Sequence, residues 1–352
     1  MKMFDYKEER TDLFKPEIIN LVSKIHEHRG KQDLYIQTKP DILKSLGSIA
    51  KIQSTDASNR IEGIFTSDGR LRAIVEKKTE PNSRNEQEIA GYRDVLNLIH
   101  ENHDHIGITP NHIRQLHQML FKYHPNPGGY FKSNNNVVEE KYTDGSTRIR
   151  FNPLPAFETP EAMQRLCDAY KEAIRAQRID PLILISQFVL DFLCIHPFSD
   201  GNGRLSRLLA LLLLYQQGYI VGKYISIEMI IEKTKIDYYN ALEKSSSGWM
   251  EDQFSYSPFV HYQLGVILAA YRDLSARVET VLTSGLNKTE RIKDLFNKEP
   301  GKLSKSDISK IYPDISTAMI EKVLGNLLKN GQIEKVGKGP ATAYVKTPEE
   351  IE

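Results

Sequence analysis

The sequence predicts a mainly α protein: a helical bundle interrupted by one surface β-hairpin, followed by a small C-terminal domain of three helices and a second hairpin. Three observations carry this reading. Apolar residues recur at helical spacing, as in Ile89, Tyr92, Val95, Leu96 and Ile99 and again in Ile113, Leu116 and Leu120. Strand-like patterns are scarce and fall in residues 128–155 and 332–345. Helical runs open and close on punctuating residues, such as Thr159-Pro160 at one start and Gly218 at one end.

Size and composition support a folded, divided chain. With 352 residues, 40% hydrophobic and 26% charged, it buries a substantial core and divides into two or three domains. Lys and Arg (47) nearly balance Asp and Glu (46), so bulk attraction to nucleic acid or anionic membrane is not expected and any such contact is local. Residues 1–15 are charged throughout and lack the apolar core of a signal peptide. The most apolar stretches, residues 181–195 and 208–215, fall short of the roughly 20 residues that span a bilayer, and Asp191 interrupts the first. They read as buried core helices, with no membrane partner. Cys167 and Cys194 lie in apolar helical patterns, where a free thiol acts as a small hydrophobe, and a cytoplasmic location fits.

In chain order, residues 1–85 read as an N-terminal helical region and 86–283 as the main domain, with helices expected at 159–177, 182–195, 204–217 and 258–282. Between them, Tyr130, Phe131, Val137 and Val138, then Asp144-Gly145, then Ile149 and Phe151 spell a hairpin, closed by Pro153 and Pro155. The polar stretch 133–136 places this segment, 128–155, at the surface as a flap. His100, His103 and His105 fall at a predicted helix end among solvent-facing residues, which argues against a metal site there.

The long helical pattern stops at Ser284-Gly285, and a separate pattern fills 287–348: helices at 289–296, 305–311 and 316–329, then a hairpin over 332–345 turning at 337–339. Three helices and a wing resemble a winged helix-turn-helix domain. Leu324, Leu327 and Leu328 mark the core face of its third helix. That helix offers few basic side chains, Lys322 and Lys329; Lys335 and Lys338 on the wing could meet phosphates but Glu321 and Glu334 dilute the patch, so DNA and protein partners both stay open.

The run from His196 to Arg207, His-Pro-Phe-Ser-Asp-Gly-Asn-Gly-Arg-Leu-Ser-Arg, sits between two buried helical patterns. Burying an imidazole, a carboxylate and two guanidinium groups costs free energy unless each has a partner. Gly201 and Gly203 flank Asn202 and let successive backbone N–H groups converge as an anion nest, directly ahead of the positive end of a helix. Phosphate binds such a place. Arg204 and Arg207, three apart, can point at one polyphosphate. Asp200 offers the hard oxygen that Mg2+ prefers, and His196 can act as a general base near neutral pH. Helix capping alone requires neither two arginines nor Asp-Gly-Asn-Gly.

This run resembles the signature of the Fic family, His-Pro-Phe-x-(Asp/Glu)-Gly-Asn-Gly-Arg-x-x-Arg, at every defined position. The resemblance implies a Fic-type helical bundle that transfers AMP from ATP to Ser, Thr or Tyr hydroxyls of a protein. By position it makes His196 the base, Asp200 the Mg2+ ligand, Gly201, Asn202 and Gly203 the phosphate-binding turn, and Arg204 and Arg207 the polyphosphate contacts. Asp237-Tyr238-Tyr239-Asn240-Ala241-Leu242 is similar to the family's Tyr-Tyr-x-x-Leu segment, which places Tyr238, Tyr239 and Leu242 around the adenosine. Where relatives carry an asparagine four residues beyond that leucine, this chain has Ser246. The hairpin corresponds to the family's target flap, with Val137 and Val138 at the nucleotide site, and its backbone can add a strand to an extended protein substrate. Lys132 stands where relatives place arginine, which keeps charge but loses bidentate geometry.

Upstream, Ser58-Asn59-Arg60-Ile61-Glu62-Gly63 resembles the inhibitory motif (Ser/Thr)-x-x-x-Glu-(Gly/Asn) of relatives whose autoinhibitory helix precedes the site. Ser58 and Glu62, four apart, fall on one helical face. The resemblance pairs Glu62 with Arg207 and blocks the productive γ-phosphate position. Two other readings keep part of this picture: the same site could remove AMP, with Glu62 positioning water, or the chain could be a DNA-binding regulator that senses nucleotide. The exposed helical faces are compatible with a homodimer.

Overall fold

The structure is a computed structural model that describes residues 4–6, 11–141, 147–283, 288–298, 302–337 and 342–347. Its elements run α1 (Pro16–Thr38), α2 (Pro40–Ile61), α3 (Asp68–Val75), α4 (Arg84–Asn102) and α5 (Pro110–Leu120), then strands β1 (Val138–Lys141) and β2 (Thr147–Phe151). There follow α6 (Thr159–Ala176), α7 (Pro181–Ile195), α8 (Asn202–Gln216), α9 (Ile227–Lys233), α10 (Lys235–Ser246) and α11 (Ser257–Thr283). The C-terminal elements are α12 (Lys288–Lys298), β3 (Leu303–Ser304), α13 (Lys305–Ile311), α14 (Thr317–Lys329), β4 (Ile333–Val336) and β5 (Ala343–Lys346). The expected mainly α class is observed. No helix among the described residues is long and apolar enough to cross a membrane.

The chain divides into two compact units, residues 1–34 with 50–274 and residues 35–49 with 275–352. In the first, α7 packs against α6 and α8, and α4 against α5 and α8. α7 is apolar on nearly every side, which is why it forms the middle of the bundle. Asp180 caps it by accepting a hydrogen bond from Leu182 N at 2.9 Å, and Pro181 occupies its first turn, where a missing N–H costs nothing. Asp191, the polar interruption in this apolar stretch, is fully buried. Its carboxylate accepts from Tyr6 Oη at 2.6 Å, Trp249 Nε1 at 2.7 Å and Tyr256 Oη at 2.7 Å. A buried carboxylate with three donors is satisfied, and here it joins three distant chain segments.

β1 and β2 pair antiparallel, with an irregularity between Val138 and Glu139, while Tyr130 and Phe131, expected as part of the extended run, precede the strand. The expected turn at Asp144-Gly145 lies outside the described residues, as do the expected boundary at 284–287 and most of the turn at 337–339. In the second unit, Ile292, Phe296, Ile308, Tyr312, Ile320, Leu324 and Tyr344 belong to one core that draws on residues from α12 to β5. Its sheet runs β3-β5-β4, and β3 is a two-residue strand too short to register as an alternation in sequence. α13 opens with a capping box in which Ser304 and Asp307 bond reciprocally.

The histidine reading needs one correction. His100 is buried, not solvent-facing, with its ring 5.6 Å from that of Tyr215 and Nε2 3.3 Å from the tyrosine oxygen. His100 follows Leu96 by about one helical turn and so falls on the same buried face of α4. Among the described residues no group of three or more His, Cys, Asp or Glu could hold a metal ion.

Candidate active site

The loop between α7 and α8 is shaped by two left-handed residues. His196 ends α7 at φ 50 and ψ 60, and Gly201 precedes α8 at φ 80. For a histidine this conformation costs on the order of 1–3 kcal/mol and persists only where surroundings fix it. Glycine at 201 adopts it freely. α8 therefore begins at Asn202, two residues earlier than its apolar pattern suggests, and the turn Gly201-Asn202-Gly203 becomes the helix N-terminus itself. Asn202 locks the loop from within, accepting from Phe198 N at 3.0 Å and donating to Phe198 O at 2.7 Å.

Other donors approach the loop from the segment that leads into the flap. Lys132 N donates to Pro197 O at 2.9 Å and Lys132 Nζ to Ile195 O at 2.9 Å. Asn136 Nδ2 lies 3.1 Å from Phe198 O and 3.4 Å from His196 O. His117 Nε2 lies 3.0 Å from Asp200 O, while its Nδ1 accepts from Gly129 N at 2.8 Å and its ring stacks on Phe198 at 3.8 Å. An imidazole that accepts at Nδ1 and donates at Nε2 is neutral, and burial pushes His117 down to about 4.

His196 Nδ1 is 3.3 Å from Leu193 O. A carbonyl only accepts, so Nδ1 carries the proton and Nε2 keeps its lone pair. Burial, stronger than the opposing bond to Leu193, lowers this imidazole to about 4. It is neutral and able to accept a proton at pH 7.

One cavity of about 690 Å³ brings the expected residues together. Glu62, Val137, Val138, His196, Asp200, Gly201, Asn202, Gly203, Arg204, Arg207, Tyr238, Tyr239, Leu242 and Ser246 all line it. Ser58 does not line it, being fully buried behind Arg207. Asp200 is 58% exposed and accepts from Gly201 N at 2.5 Å. Tyr238 is buried with its ring 5.3 Å from that of Tyr239.

The two arginines differ in what holds them. Arg207 Nη2 donates to Glu62 Oε1 and to Ser58 O, each at 2.8 Å, and its Nε donates to Ser58 Oγ at 2.8 Å. Burial opposes the charge on Arg207, but the Glu62 carboxylate together with Tyr238 and Tyr92 outweighs it and the guanidinium stays above its ordinary range. Glu62 lies one residue beyond the end of α2, in the turn that closes the helix rather than on its regular face. Its carboxylate also abuts Gly203, where any Cβ would collide with Oε1. Arg204 instead meets a partner the motif does not contain: Glu88 of α4, whose Oε2 is 2.7 Å from Nη1 with both side chains buried. Arg204 lines the cavity already neutralised, with Asp200 Oδ1 at 3.7 Å.

Sequence reasoning missed Glu88, Arg150 and Lys235. Arg150 of β2 lies 4.5 Å over the Tyr239 ring, and Arg148 pairs with Glu243 at 2.7 Å, so the flap strand meets α10 at the cavity. Lys235 Nζ donates to Ile61 O at 2.7 Å, capping the end of α2. Lys235 stands beside the Tyr-Tyr segment and could have drawn notice there. Glu88 carries no local signal.

Comparisons with known proteins bear on the family and the fold. Residues 107–214 match the model of the Fic/DOC family. A protein adenylyltransferase Fic from Nematostella vectensis is 25% identical over 263 residues, 70% of this chain and 53% of that protein. One of the same description from Drosophila erecta is 24% identical over 318 residues, 85% of this chain and 55% of its own length. The chain thus spans about half the length of the curated relatives it matches. Among solved structures, a Fic family protein from Desulfovibrio desulfuricans G20 superposes with a TM-score of 0.61 at 21% identity, covering 96% of this chain and 98% of that one. A Fic domain containing signaling protein from Bacteroides thetaiotaomicron gives 0.58 at 23%, covering 73% and 94%. Fold, signature and relatives point the same way: residues 107–214 match the Fic/DOC family, and the chain is similar in sequence and fold to Fic proteins.

Proposed function

We propose that this chain is a protein adenylyltransferase that moves AMP from ATP to Ser, Thr or Tyr hydroxyls of target proteins, itself included, and that Glu62 restrains it. One observation carries the reading. The Glu62 carboxylate bonds Arg207 at 2.8 Å and presses on Gly203, so an anion of the protein's own already sits at the α8 N-terminus. A site that holds a carboxylate there at rest accepts a phosphate when the carboxylate leaves.

The chemistry follows from groups in the cavity. His196 accepts the proton of the incoming hydroxyl, whose oxygen forms a bond to the α-phosphorus as the bond to the bridging oxygen of pyrophosphate breaks. First-turn amides of α8 and Arg207 face the charge that spreads over the phosphate oxygens. Tyr238, Tyr239, Leu242, Val137 and Val138 enclose the adenosine. Of the cavity's acids, Glu62 pairs with Arg207 and Glu243 with Arg148, while the exposed Asp200 suits a cation that arrives with the nucleotide. Mg2+ held by Asp200 would neutralise phosphate charge. The target segment docks on the 128–155 flap by strand addition to the hairpin.

Residues 287–348 read as a winged-helix-like docking module, since three helices and a three-stranded sheet enclose their own core. Its partner is a protein or DNA, and the whole chain works as a monomer or homodimer. The test uses ATP labelled at the α- or the γ-phosphate. Label from the α position should enter protein, label from the γ position should not, and His196→Ala should abolish incorporation. Incorporation that survives His196→Ala refutes the assignment. Release of AMP from modified protein without incorporation would instead assign Glu62 to positioning water.

A further inference from the structure

We infer that Lys132 is a positioning residue for the loop that carries His196, holding it in its left-handed backbone conformation both directly and by aiming the amide of Asn136. The inference rests on the adenylyltransferase reading for its consequence in catalysis, and on geometry alone for the restraint itself.

Four successive loop carbonyls are held from the flap side. Lys132 Nζ takes Ile195 O at 2.9 Å and its backbone N–H takes Pro197 O at 2.9 Å. The same ammonium donates to Asn136 Oδ1 at 2.8 Å. An ammonium has donors only, so it draws the amide oxygen and turns the amide nitrogen the other way. That nitrogen meets Phe198 O at 3.1 Å and His196 O at 3.4 Å. One lysine therefore sets the carbonyls of residues 195 to 198, two through its own atoms and two through the asparagine it orients.

Two further facts separate this from ordinary packing. Lys132 is only 4% exposed, and the hydrogen-bond acceptors of its ammonium are neutral oxygens, so burial pushes it down to about 8. An apolar side chain of similar length would fill the space without desolvating a charge. What the ammonium adds is the set of bonds it makes. Those bonds also converge on a residue that needs outside restraint, because His196 at φ 50 occupies a conformation that L side chains adopt only when their surroundings fix it. With the carbonyls drawn toward the flap, the imidazole and the turn after it are left to the cavity.

The experiment uses the full chain with Glu62→Gly as parent, adding Lys132→Met, Lys132→Arg, Asn136→Asp and the Met/Asp pair. Asn136→Asp is isosteric and keeps an oxygen for the ammonium but offers the loop carbonyls no donor. Two quantities are read: the rate constant of AMP transfer at saturating ATP, and hydrogen exchange over residues 196–203. Lys132→Met and Asn136→Asp should each lower the rate at least about tenfold while leaving KM for ATP within about threefold. Loop exchange should quicken by about tenfold in both. Lys132→Arg should restore the rate to near the parent, and the double variant should be no worse than its weaker single, since both act through one contact. Parent-like exchange overturns the inference whatever the activity, and so does a parent-like rate beside faster exchange, or failure of arginine to rescue. If the parent itself transfers no AMP, the adenylyltransferase reading fails separately, and faster loop exchange in both variants still sustains the restraint.

Discussion

Replacing Glu62 by glycine removes one contact and leaves the rest of the arginine's cage in place. Ser58 still accepts from Arg207 through both its carbonyl and its hydroxyl, so the guanidinium stays where it is with one donor released to the cavity. The magnitude follows from burial. The Arg207 side chain is 4% exposed and that of Glu62 33%, so the pair falls between an exposed ion pair and a buried charged hydrogen bond, about 2 kcal/mol after allowance for solvent. If that contact alone sets the resting state, its loss raises the rate of AMP incorporation by about thirtyfold. Glu62→Gln, which keeps shape and one acceptor but no charge, should fall between. Initial rates with α-labelled ATP, at matched protein and nucleotide concentration, read the difference. A Glu62→Gly rate within about twofold of the parent, in protein that still binds ATP, would refute the restraint.

Other expectations follow from the same geometry. In the Glu62→Gly protein, kcat/KM should show no inflection near pH 6.5 and should fall only as pH approaches about 4, because burial holds His196 neutral above that value. An imidazole-like inflection between about 6 and 7 would count against it. His100, His117 and His196 are all lowered, to about 3, 4 and 4, so the folded state binds fewer protons than the unfolded chain. Their stabilisation is full above pH 6.5 and is lost as pH falls toward 4, on the order of 1 kcal/mol per histidine per pH unit, measurable as urea midpoints at successive pH values. His196→Gly should be about 1 kcal/mol more stable than His196→Ala, since only glycine accepts this backbone without strain; equal stabilities would remove the strain argument. Glu88→Gln strands the Arg204 guanidinium and should lower unfolding free energy by about 3 kcal/mol in denaturant titration.

The candidate site was legible where its chemistry is contiguous. The run from 196 to 207 announces itself because a histidine, an acid, two glycines and two arginines interrupt apolar helices, and Glu62 is read through a short motif of its own. Glu88, Asn136 and His117 were not legible, since each acts on the site across tens of residues of chain through a contact that local pattern does not encode. The role of Lys132 was half legible, seen as a charge in the flap but not as a donor to the distant carbonyls of Ile195 and Pro197. α8 was expected at Arg204 because apolar periodicity begins there, whereas its true start is set by the positive φ of Gly201. His100 was misread for a related reason: a helix end in sequence is not a surface in space when Tyr215 packs over it.

Asp191 bears on how the chain can be edited. It lies five residues before His196, and one of its donors is Tyr6, 185 positions away in the chain. Removing the segment that carries Tyr6, or replacing it with a rigid partner, would strip a donor from a carboxylate in the helix that delivers the base. The segment around Tyr6 is therefore not a free handle, and a loss of activity after such a change would report on α7 rather than on any contact with target or nucleotide.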